Sequence, residues 1–175
     1  MPYVSRCNNL NIPSMTTQPT LTPMNAPTPP AGLLDNTQIA SIVQSRYIAH
    51  AAVGCNNVGE AALWYAQVLG AQPVRILDDR VTFSVGGVLQ LVCHLEKRAI
   101  ARNPRAYPQH FGLTFLQMED FHRLAEHIEK LGIKTLAGPT LRFPKTDHEH
   151  QTLMLADPSG NVVEFKCYLR PECSY

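Results

Sequence analysis

The sequence has little charge and no long apolar run. Only 17% of its 175 residues are Asp, Glu, Lys or Arg, and the formal net charge is +1. A near-neutral chain offers no basic surface for the phosphates of a nucleic acid. No segment approaches the roughly 18 consecutive apolar residues that a membrane-spanning helix needs. These absences argue against nucleic-acid and membrane partners, and they favour a soluble protein that binds a small molecule.

The cysteines are few and show no C-x-x-C pair. An odd number of widely spaced cysteines disfavours both a disulfide framework and a zinc knuckle. We therefore expect a cytoplasmic protein with reduced thiols. The five are Cys7, Cys55, Cys93, Cys167 and Cys173.

Residues 1–44 lack the apolar periodicity of a folded domain. They are rich in Pro and Thr, and no charged residue occurs between Arg6 and Asp35. Such a segment cannot bury enough apolar surface to offset the entropy of ordering the chain. We expect a disordered tail at residues 1–44 and a single domain at residues 45–175.

A regular pattern of strands and one helix begins at Tyr47. Gly70 is well placed as the left-handed residue that ends the helix, and turns at residues 78–79 and 86–87 separate the last three strands. The predicted elements are a strand at 47–53, a helix at 58–69 and strands at 72–77, 80–85 and 88–95.

The same order then recurs, which is the most informative feature of the sequence. An amphipathic stripe predicts a second helix that ends near Gly132, and an insertion at residues 138–150 precedes the penultimate strand. The predicted strands are residues 109–116, 133–137, 151–156 and 161–168. We therefore predict an α+β fold in which two βαβββ modules, at about 47–98 and 108–168, form a curved mixed sheet around a metal site.

The last predicted strand carries Glu164 among large apolar residues. Side chains alternate across a strand, so Glu164 shares one face with Val162 and Lys166. A carboxylate there is costly to bury unless it is paired or binds a metal. The repeat aligns His50 with His110 and Gln90 with Glu164, so these four residues are predicted to converge.

Two histidines and one carboxylate are the ligand set typical of mononuclear non-haem Fe(II), and Mn(II), Ni(II) or Zn(II) fit similar ligands. A single histidine on a strand is more often a hydrogen-bonded core or surface residue than a ligand. The repetition of the pattern in both modules favours the metal interpretation here.

Several segments together resemble the vicinal oxygen chelate superfamily, which includes glyoxalase I, bleomycin-resistance proteins and extradiol dioxygenases. The segments are AHAAV, WYAQVLG, LQLVCHL, QHFGLTFL and LADPSGNVVEFK. They span residues 50–168, and the similarity is closest to small predicted extradiol-type dioxygenases. The resemblance implies a βαβββ repeat whose metal is held by His50, His110 and Glu164.

The resemblance also suggests an acid/base group. His94 shares the Gln90 face of its strand, and extradiol dioxygenases have a histidine at the end of the equivalent strand; a histidine at the rim of the sheet is the alternative. Those enzymes also place a tyrosine on the strand before the glutamate, which residues 151–156 lack, and Tyr107 is a candidate replacement. Arg102, Arg105 and Arg142 are candidate receivers of an anionic substrate.

The favoured function is a metal-dependent, Fe(II) extradiol-type dioxygenase acting on a small catechol-like substrate with vicinal oxygens. A glyoxalase-type isomerase or lyase is the first alternative, but it needs a carboxylate base where this chain has the Gln90 amide. The second alternative is a protein that binds small molecules without catalysis. Pairing of two copies as a homodimer is compatible with each of these functions.

Overall fold

A computed structural model describes residues 47–100 and 103–173. The predictions made for residues 1–44 and for Arg102 lie outside these ranges. Within them the predicted α+β class and both βαβββ modules are confirmed. The elements in chain order are β1 (Ala49–Cys55), α1 (Val58–Leu69), β2 (Gln72–Leu77), β3 (Arg80–Val85), β4 (Leu89–Leu95), β5 (Phe111–Phe115), α2 (Met118–Lys130), β6 (Thr135–Arg142), β7 (His150–Ala156) and β8 (Val162–Tyr168).

Each module forms its own four-stranded mixed sheet. The strand orders are β1-β4-β3-β2 and β5-β8-β7-β6. The first strand of each module runs parallel to the last one, and the remaining pairs are antiparallel. His50 and Gln90 therefore lie on neighbouring strands, and His110, just before β5, lies beside the strand that carries Glu164.

The two helices end as the sequence predicts. The Asn57 side chain accepts a hydrogen bond from the Glu60 backbone N–H at 3.0 Å and so caps the start of α1. Gly70, with φ of 59°, and Gly132, with φ of 67°, take the left-handed conformation after α1 and α2. No helix in residues 47–100 and 103–173 is long and apolar enough to cross a membrane.

One hydrophobic core joins the two modules. Alternate residues of β4 and β8, such as Leu91 and Phe165, face inward, while Gln90 and Glu164 lie on the opposite faces of their sheets. The fully buried core includes Tyr65, Phe83, Leu91, Phe121, Ile128, Leu153, Leu155 and Phe165. Burial of this kind stabilises by about 25 cal/mol per Å² of apolar surface.

The main departure from the predicted elements is β6. The predicted strand stops at residue 137, but the strand continues through Gly138 and Pro139 to Arg142, into the predicted insertion. β6 is an edge strand, and its pairing with β7 is irregular between Ala137 and Thr140. A proline lacks the N–H for a regular ladder, so an irregular edge is where a strand tolerates it.

The loop at residues 157–161 fastens the second module to the first. Asp157 is buried, and one of its carboxylate oxygens accepts the Tyr65 hydroxyl at 3.0 Å and the Asn161 side-chain amide at 2.7 Å. Its other oxygen accepts the backbone N–H groups of Ser159 and Asn161. The Asn161 amide also donates to the Gly54 carbonyl at 2.9 Å, so the loop links β8 to β1 and α1.

Candidate metal centre

Glu164 and His110 form one pair of candidate ligands. Only 6% of Glu164 is exposed, and its Oε2 lies 3.2 Å from His110 Nε2. The Thr152 hydroxyl donates to Oε1 at 2.7 Å, and the Lys166 ammonium lies 3.4 Å from Oε2. The buried Glu164 carboxylate is thus paired, as expected, and its partners are a histidine, a threonine hydroxyl and a lysine.

The close approach of β5 to Glu164 depends on Gly112. Gly112 is the residue opposite Glu164 in the parallel β5–β8 pairing. A Cβ atom at position 112 would overlap the Glu164 carbonyl oxygen, so a larger residue would push the two strands apart. The absence of a side chain at Gly112 therefore fixes the position of Glu164 relative to β5.

His50 and Gln90 form a second pair in the first module. They lie opposite each other in the β1–β4 pairing, with His50 Nδ1 3.0 Å from Gln90 Oε1. An amide oxygen can only accept, so Nδ1 carries the proton and donates. This tautomer leaves the Nε2 lone pair of His50 free to bind a metal, and it gives Gln90 an orienting role.

The aligned positions of Gln90 and Glu164 differ in the strand register. If His50 corresponds to His110, then Ala52 corresponds to Gly112; Ala52 lies opposite Val92, whereas Gly112 lies opposite Glu164. The β4 position that matches Glu164 is therefore Val92. The loop before β8, residues 157–161, is two residues longer than the loop before β4, residues 86–88.

The four predicted site residues meet as two pairs. Across residues 47–100 and 103–173, no three His, Cys, Asp or Glu side chains lie close enough together to hold one metal ion. The His110–Glu164 pair has a spacing compatible with a metal, because two donors about 2.1 Å from one ion and about 90–109° apart lie about 3.0–3.4 Å from each other. The 3.2 Å between His110 Nε2 and Glu164 Oε2 falls in that range.

His94 lies at the far end of β4. It faces the same side of the sheet as Gln90, but four residues of strand place their Cα atoms about 13 Å apart. It lies opposite Arg80, which bonds both carboxylate oxygens of Asp79 and lowers the pKa of that carboxyl. This position of His94 agrees with the alternative given in the sequence analysis, a histidine at the rim of the sheet.

A cavity of about 700 Å³ lies beside His110. Its apolar wall comes from residues 51–54 of β1, and its polar wall includes Arg105, Tyr107 and Asn161. The Tyr107 ring meets the His110 ring edge-on, with 5.5 Å between centroids. Tyr107 lies before β5, beside His110, and not on β7, the strand before Glu164.

Arg142, a predicted substrate-binding residue, and His150 both have aromatic neighbours. The Arg142 guanidinium lies 5.8 Å from the Phe143 ring, and His150 is buried against Tyr168 with 4.8 Å between ring centroids. Burial raises the pKa of Cys93 to about 12, and it also raises the pKa values of Cys55 and Cys167. The raised pKa values favour the protonated thiols at neutral pH, which makes these cysteines poor nucleophiles.

Sequence reasoning did not assign a role to three residues around Glu164. Strand alternation correctly places Lys166 on the same face as Glu164, and this alternation is the sequence feature that could have indicated their contact. Thr152 and Gly112 reach Glu164 from the neighbouring strands β7 and β5, so their roles depend on strand register. The register cannot be read from one strand's own pattern.

Comparison with known proteins gives a family match. Residues 47–165 match the family described as the Glyoxalase/Bleomycin resistance protein/Dioxygenase superfamily. A search of curated proteins gave no match.

Several solved structures are similar to this chain. A glyoxalase/bleomycin resistance protein/dioxygenase from Alicyclobacillus acidocaldarius is 36% identical, covering 74% of this chain and 96% of that one with a TM-score of 0.69. A lactoylglutathione lyase from Agrobacterium tumefaciens is 20% identical, with coverage of 71% and 95% and a TM-score of 0.54. The fosfomycin resistance protein FosX from Listeria monocytogenes is 14% identical, with coverage of 74% and 99% and a TM-score of 0.56. The last two share the fold only.

Proposed function

Because this chain belongs to the glyoxalase/bleomycin resistance/dioxygenase superfamily, we propose that it is a metal-dependent dioxygenase acting on a small catechol-like substrate. His50, His110 and Glu164 hold the divalent metal, with Fe(II) favoured by this ligand set and Mn(II), Ni(II) or Zn(II) compatible with it. When bound, the metal supplies Lewis acidity to the substrate oxygens and holds them within reach of O₂.

The observation that carries this proposal is the His110–Glu164 pair. A carboxylate that is 6% exposed lies 3.2 Å from an imidazole nitrogen, at the spacing of two ligands on one ion. Thr152 holds the other carboxylate oxygen at 2.7 Å and so fixes the direction of the pair. The Gln90 carbonyl orients His50 so that its Nε2 is the free donor.

We further propose that two copies of the chain complete each site. The His50–Gln90 pair of one copy then meets the His110–Glu164 pair of the other, which keeps one metal per chain. The sheet orders support this arrangement. β1 carries His50, and β5 begins directly after His110. Both are edge strands, and no described strand pairs with their outer edges. A two-fold axis would repeat the contact and generate two equivalent sites.

A complementation experiment tests this arrangement. Purified His50→Ala and Glu164→Ala chains should each lose metal, and refolding them together should restore about one quarter of the wild-type metal, because half of the dimers are mixed and each has one intact site. His148→Ala, a change at an exposed histidine outside the site, is the control. Restoration of no metal would refute the shared site, and full metal in Glu164→Ala would refute the ligand set.

The cavity beside His110 supports a small, flat substrate. Residues 51–54 give it an apolar wall, and Tyr107 presents an aromatic ring next to the proposed metal ligand. No acidic side chain pairs with Arg105 among the described residues, so its guanidinium is available to an anionic group on the substrate.

The reaction class is tested by loading the protein with Fe(II) under anaerobic conditions and then measuring oxygen uptake with catechols, hydroquinones and a hemithioacetal. We expect uptake with a catechol-type compound. A glyoxalase-type reaction would instead turn over the hemithioacetal without oxygen, which Gln90 disfavours because its amide cannot act as a base. Ligand binding without any turnover would point to a binding protein.

The acid/base role of His94 remains a prediction. At about 13 Å from Gln90 along β4, it can serve only a substrate that extends along the sheet face. His94→Gln should leave metal binding unchanged and lower kcat, whereas equal kcat at all pH values would make His94 a rim residue.

A further inference from the structure

We propose that a second cavity, between α2 and β6, binds a small molecule that has an apolar body and a protonated nitrogen. This α2–β6 cavity is separate from the cavity beside His110, and its role does not depend on the proposed function. Three features of the second module support it: a part of the sheet that the helix leaves uncovered, a small residue where the first module has an aromatic ring, and an acidic rim.

The α2–β6 cavity has a volume of about 700 Å³, which lies within the range of about 300–1,000 Å³ for small-molecule sites. Its floor is apolar and includes Ile128 and Leu153, which are core residues with 1% exposure. Thr152 precedes Leu153 on β7 and points to the opposite face of the sheet, where it bonds Glu164. The sheet therefore separates this cavity from the Glu164 carboxylate.

The cavity lies where α2 leaves its sheet uncovered. In the first module α1 packs against β2, β3 and β4, whereas α2 packs mainly against β5 and β8. The pairing of β6 with β7 also shifts between Ala137 and Thr140, and Gly138 and Pro139 within this irregularity line the cavity. The second module thus has an open space between its helix and its edge strand.

An aromatic ring fills the corresponding position in the first module. Counted from the first residue of each helix, Tyr65 of α1 and Ala125 of α2 both occupy the eighth position. Tyr65 is fully buried, and its ring centroid lies 5.4 Å from that of Phe83 on β3. Ala125 lines the cavity and leaves the volume of such a ring unfilled. The apolar body of a ligand would cover surface that the protein itself covers in the other module.

The rim of the cavity carries more negative than positive charge. Glu126 and Glu129 lie one helical turn apart on α2, and both are exposed. Neither carboxylate has a salt-bridge partner within residues 47–100 and 103–173. Lys134 is the one lysine or arginine among the described lining residues. A protonated nitrogen at the rim would form charge-assisted hydrogen bonds with these carboxylates, so a cation is favoured over an anion.

The test uses isotope-labelled full-length protein and three indoles that share a ring but differ in charge. Tryptamine carries a protonated nitrogen, tryptophol has a neutral hydroxyl in its place, and indoleacetate is an anion. Titrations followed by two-dimensional proton–nitrogen NMR give each dissociation constant and the place of binding. The backbone N–H signals of Thr135 and Gly138 report on the α2–β6 cavity, and those of Gly54 and Gly160 report on the cavity beside His110.

We expect tryptamine to shift the Thr135 and Gly138 signals with a dissociation constant of about 1 mM or below. Tryptophol should bind about 3-fold more weakly, and indoleacetate about 10-fold more weakly, because the rim offers them no net attraction. A chain with both Glu126→Gln and Glu129→Gln should lose the preference for tryptamine and bind tryptophol as wild type does. Glu119→Gln removes an acidic residue of α2 outside the cavity, and it should keep the preference.

A second set of variants tests the shape of the cavity. Ala125→Tyr introduces the ring found at the same helical position of α1, so tryptamine should no longer shift the signals of Thr135 and Gly138. Ala125→Ser is the control, because it changes the same position without adding a ring, and it should bind tryptamine within about 3-fold of wild type. Thermal melts verify folding, and the paired glutamine variant still decides the outcome if Ala125→Tyr does not fold.

Three results would overturn the inference: no shift of the Thr135 and Gly138 signals with tryptamine, shifts confined to Gly54 and Gly160, or equal affinity for tryptamine and indoleacetate. Mn(II) binding by every variant should equal that of wild type, because the sheet separates the two sites. Wild-type protein that binds tryptamine but no divalent metal would refute the proposed function and leave the α2–β6 site standing.

Discussion

At the scale of single residues, Gly112 occupies the position where the structure tolerates a side chain least. Gly112→Ala should lower the free energy of unfolding by about 3 kcal/mol or more, because the new Cβ would overlap the Glu164 carbonyl oxygen on the paired strand. Urea denaturation measures the change. Gly59→Ala in α1 is the matched control, since its Cβ would meet only the Asn57 side chain at 3.3 Å. A loss in Gly112→Ala no larger than that in Gly59→Ala would contradict the close approach.

Gln90 offers a second test at this scale. Gln90→Met removes the oxygen that accepts the His50 Nδ1 proton, so it should weaken Mn(II) binding about 10- to 100-fold without removing a ligand. Gln90→Glu supplies an equivalent acceptor and should restore the affinity. Ser84→Ala, at the residue opposite Gln90 on β3, is the control and should bind Mn(II) as wild type does. Equal affinity in Gln90→Met would mean that His50 needs no orienting partner.

The contacts among the predicted site residues could not be read from the sequence. Alternation along β8 correctly placed Glu164 and Lys166 on one face. The pairing of His50 with Gln90, and of His110 with Glu164, follows from strand register within each module. Register is a property of two paired strands, and no local propensity records it.

At the scale of elements, the loop at residues 157–161 connects turn chemistry to module packing. The sequence predicts a turn there, because Asp, Pro, Ser, Gly and Asn are turn residues. The sequence alone does not reveal that Asp157 also accepts the hydroxyl of Tyr65, which lies far away in the first module. Burial, and then the nearby Asp157 carboxylate, raise the pKa of Tyr65, so its hydroxyl stays protonated and remains a donor.

Tyr65→Phe should therefore destabilise the protein by about 1–3 kcal/mol, because it removes a buried hydrogen bond to a charged group and leaves the rest of the ring in place. Thermal and urea denaturation measure the loss. Tyr47→Phe removes the same hydroxyl from a side chain that is 72% exposed, and it should change stability by less than about 0.5 kcal/mol. Similar effects in both variants would show that the Tyr65–Asp157 bond contributes little.

β6 shows why strand ends are harder to predict than strand order. The order of the elements follows from repeated apolar patterns, which are strong in both modules. Gly138 and Pro139 are typical strand breakers, so the local sequence predicts that the strand ends before them. An edge position with an irregular ladder lets β6 continue past them, and edge position is a property of the whole sheet.

At the scale of the whole molecule, residues 1–30 are predicted to be dispensable for the domain. Deleting them should change the melting temperature by less than about 2 °C and leave Mn(II) binding unchanged, because Pro/Thr-rich sequence without apolar periodicity provides no packing face. Differential scanning calorimetry and Mn(II) titration of the truncated and full chains measure both effects. A larger fall in melting temperature would show that this segment stabilises the domain.

The core that both modules share also affects how the chain folds during synthesis. Tyr65 and Phe83 leave the ribosome well before Phe165, yet all three belong to one buried cluster. At about 5–20 residues per second, the first module waits several seconds for the strand that covers its apolar face. The two halves are therefore repeats in sequence but share one core, which is complete only after β8 has been synthesised.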